Sequence, residues 1–484
     1  MEGTRQSILQ RIMDWVPNPQ GEKNVYWVYG SPGIGKTSLA HSICASFQDR
    51  RQLAGAFFCC RDSTDLSEPR NILPTLIYKL ARIFPAFRSI VAEYIRNDPN
   101  LTPQSMKDTL LADFIRSLHR RPKQQTLVFV IDAFDECGCS GTRPNILEVL
   151  IGAAALAPWL KIIITSRPEA DIIRCFSDTP EKYDLGTDQE TKDDLRTFAR
   201  SQFEIMASEW RLPPTWPEES LFNQVISQAN GLFIFIRTLV LVLQQSTDPA
   251  ASLKKTLESS VGAGSESLYA LYTSTLKSQM TCSNIPEFWR MVAVITTAQH
   301  RPLREERIAT LVGTKPHLVE KWVDDLSSLL HRDEGANGGI RVRHLSISEY
   351  LVSDHCHYRY DLQEAHAQLS MFCLKIMVDQ LCFNICKLKD SRLANADIMD
   401  LQSRIEENIS EPLQYSSLYW SAHLCMTPNN GGCDVSEWLR KFFEGLCPLF
   451  WIEVLSIMGM VSIGAPSLQR VICWVKVSTT LARH

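Results

Sequence analysis

The sequence lacks the features that mark secreted and membrane-spanning proteins. Its first residues, MEGTRQSILQ, contain no apolar core of a signal peptide. The 15 cysteines include no CxxC pair, and their odd number and irregular spacing indicate reduced thiols. The two most apolar stretches, residues 232–243 and 446–463, carry Arg237 and Glu453 and are shorter than the ~20 residues of a spanning helix. We therefore expect a cytoplasmic protein with no membrane partner.

The chain also lacks an excess of basic charge. Its 50 Lys and Arg residues face 54 Asp and Glu residues, which gives a formal net charge of -4. Because no global basic field attracts phosphate backbones, we expect no nucleic-acid partner. The 45% of hydrophobic residues and 21% of charged residues are typical of a globular protein. No internal repeat is present at a period of 20 to 50 residues.

The first part of the chain alternates apolar runs with amphipathic helical stretches. The runs are continuously apolar rather than alternating, as in strands that helices cover on both faces. This order predicts an α/β fold with a mostly parallel sheet. The predicted strands are residues 25–29, 53–60, 126–132, 160–166 and a short closing strand at 182–185.

Residues 30–37, GSPGIGKT, match the pattern G-x-x-x-x-G-K-[ST] between a predicted strand and a predicted helix. Glycines let such a loop aim its backbone N–H groups at phosphate oxygens, and the following helix N-terminus adds positive potential. Lys36 is expected to reach the outer phosphates, and Thr37 to offer its hydroxyl to a magnesium ion. The predicted nucleotide-contacting residues of this loop are Gly30, Ser31, Pro32, Gly33, Ile34, Gly35, Lys36, Thr37 and Ser38.

A second motif, TLVFVIDAFDEC at residues 126–137, supplies carboxylates at the end of a buried strand. Asp132 ends this strand, next to the phosphate loop, and is the predicted magnesium ligand together with Thr37. Asp135 and Glu136 follow in the same loop. Either carboxylate is expected to orient an attacking water, so both are predicted catalytic residues.

A third motif, ITSRPE at residues 164–169, places Arg167 at the carboxyl end of the next strand. Parallel sheets bind their ligands at this edge. A guanidinium at this position is expected to sense the γ-phosphate of a bound nucleotide.

These motifs resemble the NACHT-type nucleotide-binding domains of STAND ATPases, in the fungal, NLR-like branch with a nephrocystin 3-like N-terminal domain. The resemblance is carried by GSPGIGKT, FVIDAFDEC and IIITSRPE in this order. It extends to further segments along most of the chain, which are GTRQSILQRIMDW, ANGLFIFI, LYALYTSTL, RVRHLSISEYL and YSSLYWSAHL. We therefore expect a P-loop NTPase sheet with helices on both faces, followed by a helical subdomain, a winged helix and an all-α C-terminal region.

The predicted domain boundaries follow this order. Residues 1–24 form a linker helix, 25–186 the P-loop NACHT domain, and 187–262 the helical subdomain. The Gly- and Ser-rich residues 259–267 indicate a linker at the end of that subdomain. Residues 263–352, which combine helices with a Gly-turned strand pair, form the winged helix, and 353–484 the helical region.

The resemblance implies a molecular switch that holds ADP when closed and ATP when open. Such a switch hydrolyses ATP or GTP slowly at most, self-associates when activated and acts in signalling or an innate-immunity-like response. The resemblance also implies that His344, in HLSISEYL, touches the β-phosphate of bound ADP. The effector and repeat-sensor domains of the family are expected to be absent from this chain.

Two alternatives remain open. The first concerns the base, because Gly231-Leu232-Phe233 stands where many relatives have Gly-x-Pro, so ATP and ADP are expected while GTP stays an option. Thr4 and Arg5 are predicted to border the base. The second concerns turnover, since a continuously working P-loop ATPase, such as an AAA-type motor or a kinase-like enzyme, also uses these motifs.

Overall fold

The computed structural model describes two compact units, Met1–Leu276 and Lys277–His484, each with its own hydrophobic core. The described residues are 4–17, 23–61, 66–97, 126–138, 141–157, 159–176, 180–187, 189–259, 262–278, 285–298, 302–333, 338–356, 362–390, 393–427 and 433–481. Within these ranges, no helix combines the length and the apolar character needed to cross a lipid bilayer.

A five-stranded parallel sheet forms the centre of the first unit. Its order is β2-β3-β4-β1-β5, so β4 lies between β1 and β3. Strands β3 and β4 are buried along their whole length, as their continuous apolar sequences predict. The strands are β1 (Val25–Tyr29), β2 (Leu53–Phe58), β3 (Leu127–Asp132), β4 (Leu160–Ser166) and β5 (Glu181–Asp184).

Helices cover both faces of this sheet. Alternate side chains of β1 enter different cores, with Trp27 in one cluster and Tyr26 in the other. Among the described residues, the helices before β5 are α1 (Gln6–Trp15), α2 (Lys36–Asp49), α3 (Ile72–Ile83), α4 (Pro85–Asn97), α5 (Arg143–Leu156) and α6 (Ala170–Cys175). The predicted α/β fold class is confirmed.

Five further helices follow the sheet in the first unit. They are α7 (Gln189–Glu209), α8 (Glu219–Ala229), α9 (Phe233–Gln244), α10 (Pro249–Ser259) and α11 (Ser265–Ser278). The prediction of a linker over residues 259–267 is wrong at its end, because α11 already begins at Ser265 and buries Leu268 and Leu271. Gly262 and Gly264, with φ of 124° and 66°, form the turn before it.

The second unit begins with helices and a hairpin in the order typical of a winged helix. These are α12 (Ile285–Thr297), α13 (Glu305–Val312), α14 (Pro316–Asp325), β6 (Leu330–Arg332), β7 (Ile340–Val342) and α15 (Leu345–Val352), with β6 and β7 antiparallel. Six helices follow, which are α16 (Leu362–Gln380), α17 (Leu401–Asn408), α18 (Glu411–Met426), α19 (Cys433–Glu444), α20 (Cys447–Ile457) and α21 (Gly464–Leu481). The domain boundaries given by the sequence stay predictions.

Candidate functional site

The sheet order brings three loops together at one edge. Because the strands are parallel, the loops after β1, β4 and β3 all leave the carboxyl edge, with the β4 loop in the middle. These are the phosphate loop (residues 30–37), the arginine loop (167–169) and the acidic loop (133–136). The three motifs that the sequence singles out are therefore neighbours.

The shape of the phosphate loop depends on its glycines. Gly33 and Gly35 have φ of 76° and 96°, in the left-handed region that other residues rarely adopt. Backbone that alternates in this way is typical of the concave turns that bind anions through their N–H groups. Gly30 is closely packed, since a Cβ there would lie 3.2 Å from Ile34 Cγ2 and 3.4 Å from Leu185 Cβ.

Lys36 folds back over this loop. Its Nζ donates to the carbonyl oxygens of Gly30 and Ser31 at 2.8 and 2.9 Å. Burial lowers the pKa of Lys36 to about 8, against the opposing effect of Asp135 and other nearby carboxylates. The ammonium is thus partly desolvated, and a polyphosphate is a ligand that would favour its charged form.

Asp132 ends β3 with a carboxyl that is 2% exposed. Burial raises the pKa of Asp132, while hydrogen bonds from the hydroxyls of Thr165 and Thr37 oppose that effect. The two residues predicted to bind magnesium, Thr37 and Asp132, are therefore in direct contact. Thr165 also accepts the Ala133 N–H at 3.0 Å, which fixes the start of the acidic loop.

This donor set fits a magnesium ion. Magnesium takes oxygen ligands, usually one or two from the protein, and completes its shell with phosphates and waters. Within the described ranges, no group of three or more His, Cys, Asp and Glu side chains is arranged to hold a metal ion by itself. Thr37 and Asp132 therefore suit an ion that the nucleotide also binds.

Asp135 and Arg167 form an ion pair between the acidic and arginine loops. Asp135 Oδ2 lies 3.1 Å from Arg167 Nε, and Asp135 Oδ1 accepts the backbone N–H of Arg167 at 3.0 Å. The Asp135 side chain is 2% exposed and that of Arg167 is 21% exposed. The structure thus places Asp135 where it orients Arg167.

Glu136 is in a different environment from Asp135. It is half-buried, and its Oε2 accepts the Arg61 N–H at a long 3.4 Å. Of the two predicted catalytic carboxylates, Glu136 is the one better placed to contact a water molecule. Its catalytic role stays a prediction.

Arg5 contacts the phosphate loop from outside the sheet. Its guanidinium is 7% exposed and donates to the Ile34 carbonyl at 2.7 Å and to the Thr191 hydroxyl at 2.5 Å. Its backbone N–H donates to Asp194 at 2.9 Å. Arg5 therefore connects the phosphate loop to the first turns of α7.

The start of α9 makes a second contact of this kind. The Ile234 N–H donates to the Gly33 carbonyl at 3.2 Å. The Phe233 ring lies 5.2 Å from the Arg5 guanidinium, within the range of a cation–π contact. The residues that replace the Gly-x-Pro of relatives thus lie against the phosphate loop.

His344 lies in the second unit, at the N-terminus of α15. Its Nδ1 accepts the backbone N–H of Ser346 at 3.1 Å and lies 2.7 Å from the Ser346 hydroxyl. Because a backbone N–H donates to Nδ1, the proton of the neutral imidazole is on Nε2. His344 is a helix cap, and its predicted contact with a phosphate stays a prediction.

Sequence reasoning missed two residues of this site. Thr165 lies one position before the end of β4, and its hydroxyl binds Asp132. Arg143 opens α5, and its guanidinium bonds to the Asp135 carbonyl at 2.7 Å. A polar residue near the end of an otherwise apolar strand was the available signal for Thr165, whereas no local pattern marks Arg143.

A family model described as Nephrocystin 3, N-terminal, matches residues 3–167, which include all three loops up to Arg167. The first unit has the phosphate-loop motif and the parallel α/β sheet that are typical of P-loop NTPase domains. Such domains bind a nucleotide through the phosphate loop together with magnesium. No curated protein matches the chain.

Solved structures that resemble the chain do so at low similarity. The Walker-type ATPase of Pyrococcus abyssi is 12% identical, over 72% of this chain and 95% of that one, with a TM-score of 0.34. Cdc6p of Pyrobaculum aerophilum is 15% identical, over 72% and 93%, with a TM-score of 0.33. The Orc1 protein of Aeropyrum pernix, in complex with DNA, is 12% identical, over 72% and 93%, with a TM-score of 0.30. Similarity at this level carries no argument about function.

The lowered pKa of Lys36 predicts a pH-dependent nucleotide affinity. The protonated ammonium binds phosphate, and the bound phosphate raises its pKa above the value of about 8 in the free protein. Affinity should thus be nearly constant around pH 7, begin to fall near pH 8, and then fall about tenfold per unit until the pKa of the complex is reached.

Isothermal titration calorimetry with Mg-ADP between pH 7 and 9.5 measures the affinity. Buffers of different ionisation enthalpy report the number of protons taken up on binding. We expect net proton uptake on binding at pH 8.5. Binding with no proton uptake at that pH would contradict the assignment of Lys36 as the phosphate-binding cation.

Proposed function

We propose that this protein is a nucleotide-dependent switch of the NACHT and STAND type. It holds ADP in a closed state and ATP in an open, self-associating state, and it hydrolyses the nucleotide slowly. The family match over residues 3–167 and the motifs GSPGIGKT, IDAFDE and TSRPE support this proposal. A cytoplasmic location and a role in signalling are parts of the same proposal.

The observation that carries the switch function is the pair of contacts behind the phosphate loop. The carbonyls of Gly33 and Ile34 accept hydrogen bonds from the Ile234 N–H and the Arg5 guanidinium. Both donors belong to segments outside the sheet, one before β1 and one after β5. A nucleotide that changes the shape of this loop therefore changes contacts made by α9 and by the segment before α1.

The site residues then have distinct roles. Lys36 and the loop N–H groups bind the phosphates, and Arg167 contacts the γ-phosphate when ATP is present. Thr37 and Asp132 would hold magnesium, which would supply positive charge against the phosphates. Glu136 orients the attacking water. Arg5 and Phe233 lie next to the loop. Thr4 and Arg5 are proposed to border the base, which we take to be adenine.

His344 has a proposed role of its own. Its Nδ1 is used in the cap of α15, so its Nε2–H is the donor that a phosphate would accept. A charge-assisted hydrogen bond to the β-phosphate of ADP would favour the closed state of the switch.

Two carboxylate variants test the nucleotide chemistry. Asp132→Asn should weaken the magnesium-dependent part of ATP affinity, because it removes the charge that binds the ion. Glu136→Gln should leave affinity unchanged and slow hydrolysis by about 100-fold, within the usual range for a general base. Fluorescent ATP and GTP titrations and a phosphate-release assay measure both effects and the base preference.

Glu148→Gln is the matched control, since Glu148 is exposed on α5, away from the three loops. Wild-type turnover of ~10 per second, the median for enzymes, would contradict the switch and favour a continuously working ATPase. Unchanged hydrolysis in Glu136→Gln would remove Glu136 from the mechanism.

The role of His344 is tested by separating its two functions, the helix cap made by Nδ1 and the Nε2–H donor proposed to bind the phosphate. Asparagine is among the best helix caps. His344→Asn should therefore keep α15 stable while losing the Nε2–H donor, and ADP release should quicken by about tenfold or more, as expected for a lost charge-assisted hydrogen bond.

Stopped-flow ADP release and light scattering measure this effect, with the Tm reporting on the cap. His344→Ala, which loses both functions, should release ADP as fast as His344→Asn but unfold at a lower temperature. Wild-type ADP release in both variants would make His344 a structural cap alone.

A further inference from the structure

Arg143 is a buried arginine that faces two of the loops of the site. It is the first residue of α5, and 5% of it is exposed. Its Nη1 donates to the Asp135 carbonyl oxygen at 2.7 Å. One side of its guanidinium is therefore fixed to the acidic loop.

The rest of the guanidinium contacts the residues that follow Arg167. Its Nη2 lies 2.6 Å from Glu169 Oε2, and its Nε lies 2.9 Å from Asp171 Oδ2. Glu169 ends the arginine loop, and Asp171 is in the first turn of α6. A single side chain thus joins the acidic loop to the arginine loop and to the start of α6.

Asp135 closes this network from the other direction. Its backbone carbonyl accepts from Arg143, and its carboxylate pairs with Arg167. The network holds two guanidinium groups and three carboxylates, and most of them are shielded from water. Each charge has a partner of opposite sign, as buried charges require. Displacing Arg143 would leave Asp135 attached to Arg167 but would remove the second link between the two loops.

We propose that Arg143 is a positioning residue that sets the distance between Glu136 and Arg167, so that both act on the same terminal phosphate. We assign it no contact of its own with the nucleotide or with the attacking water. This inference rests on the proposed nucleotide site, and it adds a residue outside the three motifs. Its effect should therefore appear with ATP, which has the γ-phosphate, and not with ADP.

The proposed role of Arg143 can be tested because its guanidinium contacts three partners through different nitrogen atoms. A lysine at position 143 keeps the positive charge near Glu169 and Asp171, but its single ammonium cannot reach all three partners at once. We expect Arg143→Lys to bind Mg-ADP as the wild type does and Mg-ATP about tenfold more weakly, as for one lost charge-assisted hydrogen bond. Hydrolysis should slow in parallel.

The nucleotide affinities of Arg143→Lys are compared with those of Arg167→Gln, of the double variant with both substitutions, and of Arg174→Lys. Arg174 is an exposed arginine of α6 and serves as the matched control with the same substitution. Arg143→Lys should add nothing to the loss of ATP affinity in Arg167→Gln, because both act through the same guanidinium. Glu169→Gln, which keeps Arg143 and leaves the buried Asp171 in place, should give a smaller loss of ATP affinity in the same direction.

Mg-ATP and Mg-ADP affinities of each variant, with its Tm, decide between the outcomes. A wild-type ratio of ATP to ADP affinity in Arg143→Lys and Glu169→Gln, alongside a changed ratio in Arg167→Gln, overturns this inference and leaves the proposed function intact. Equal loss of both affinities with a lower Tm also overturns it, because the residue then only stabilises the fold. A wild-type protein that binds neither nucleotide overturns the proposed function itself.

Discussion

The buried carboxyl group of Asp132 is the interaction on which the rest of the site depends. It lies at the end of β3 and accepts hydrogen bonds from Thr165 at the end of β4 and from Thr37 at the start of α2. Asp132 thus links β3 to β4 and to the start of α2, beneath the three loops of the site. Because Thr165 also accepts the Ala133 N–H, the acidic loop starts in a fixed direction. Glu136 and Asp135 owe their positions to that start.

The site has unfavourable electrostatics until a ligand arrives. Burial lowers the pKa of Lys36 and raises the pKa of Asp132, so each group is shifted toward its neutral form. A nucleotide polyphosphate with magnesium would supply a negative partner for the lysine and a positive partner for the aspartate. The buried charges of Arg143 and Asp135 differ in this respect, since the protein pairs them internally. We propose that the first group binds the ligand and that the second holds the loops in place.

The sequence identifies the candidate residues of the site better than the contacts between them. Strand β1, the glycines of the phosphate loop and the end of β3 at Asp132 are local features, and a pattern of apolar runs and turn residues identifies them. The pairing of Asp135 with Arg167 joins residues 32 positions apart, and it depends on the order of strands in the sheet. No periodicity encodes that order. Arg143 was missed for the same reason, whereas Thr165 had a local signal, its polar side chain near the end of β4.

The contact between Arg5 and Ile34 shows the limit of motif reasoning in another way. The sequence suggested Arg5 as a neighbour of the base, through resemblance alone. In the structure its guanidinium bonds to the phosphate loop and to Thr191 of α7. Together with the Ile234 N–H on the Gly33 carbonyl, this contact gives the nucleotide loop a physical connection to helices outside the sheet.

Hydrogen–deuterium exchange with and without Mg-ADP and Mg-ATP tests that connection most directly. Nucleotide should slow amide exchange in residues 30–38, which we propose bind the phosphates. It should also alter exchange in residues 229–236, which surround the Ile234 N–H that bonds to the Gly33 carbonyl. The two nucleotides should differ in the second segment. Unchanged exchange in residues 30–38 would contradict nucleotide binding at this loop, and a change confined to that loop would contradict the coupling on which the switch depends.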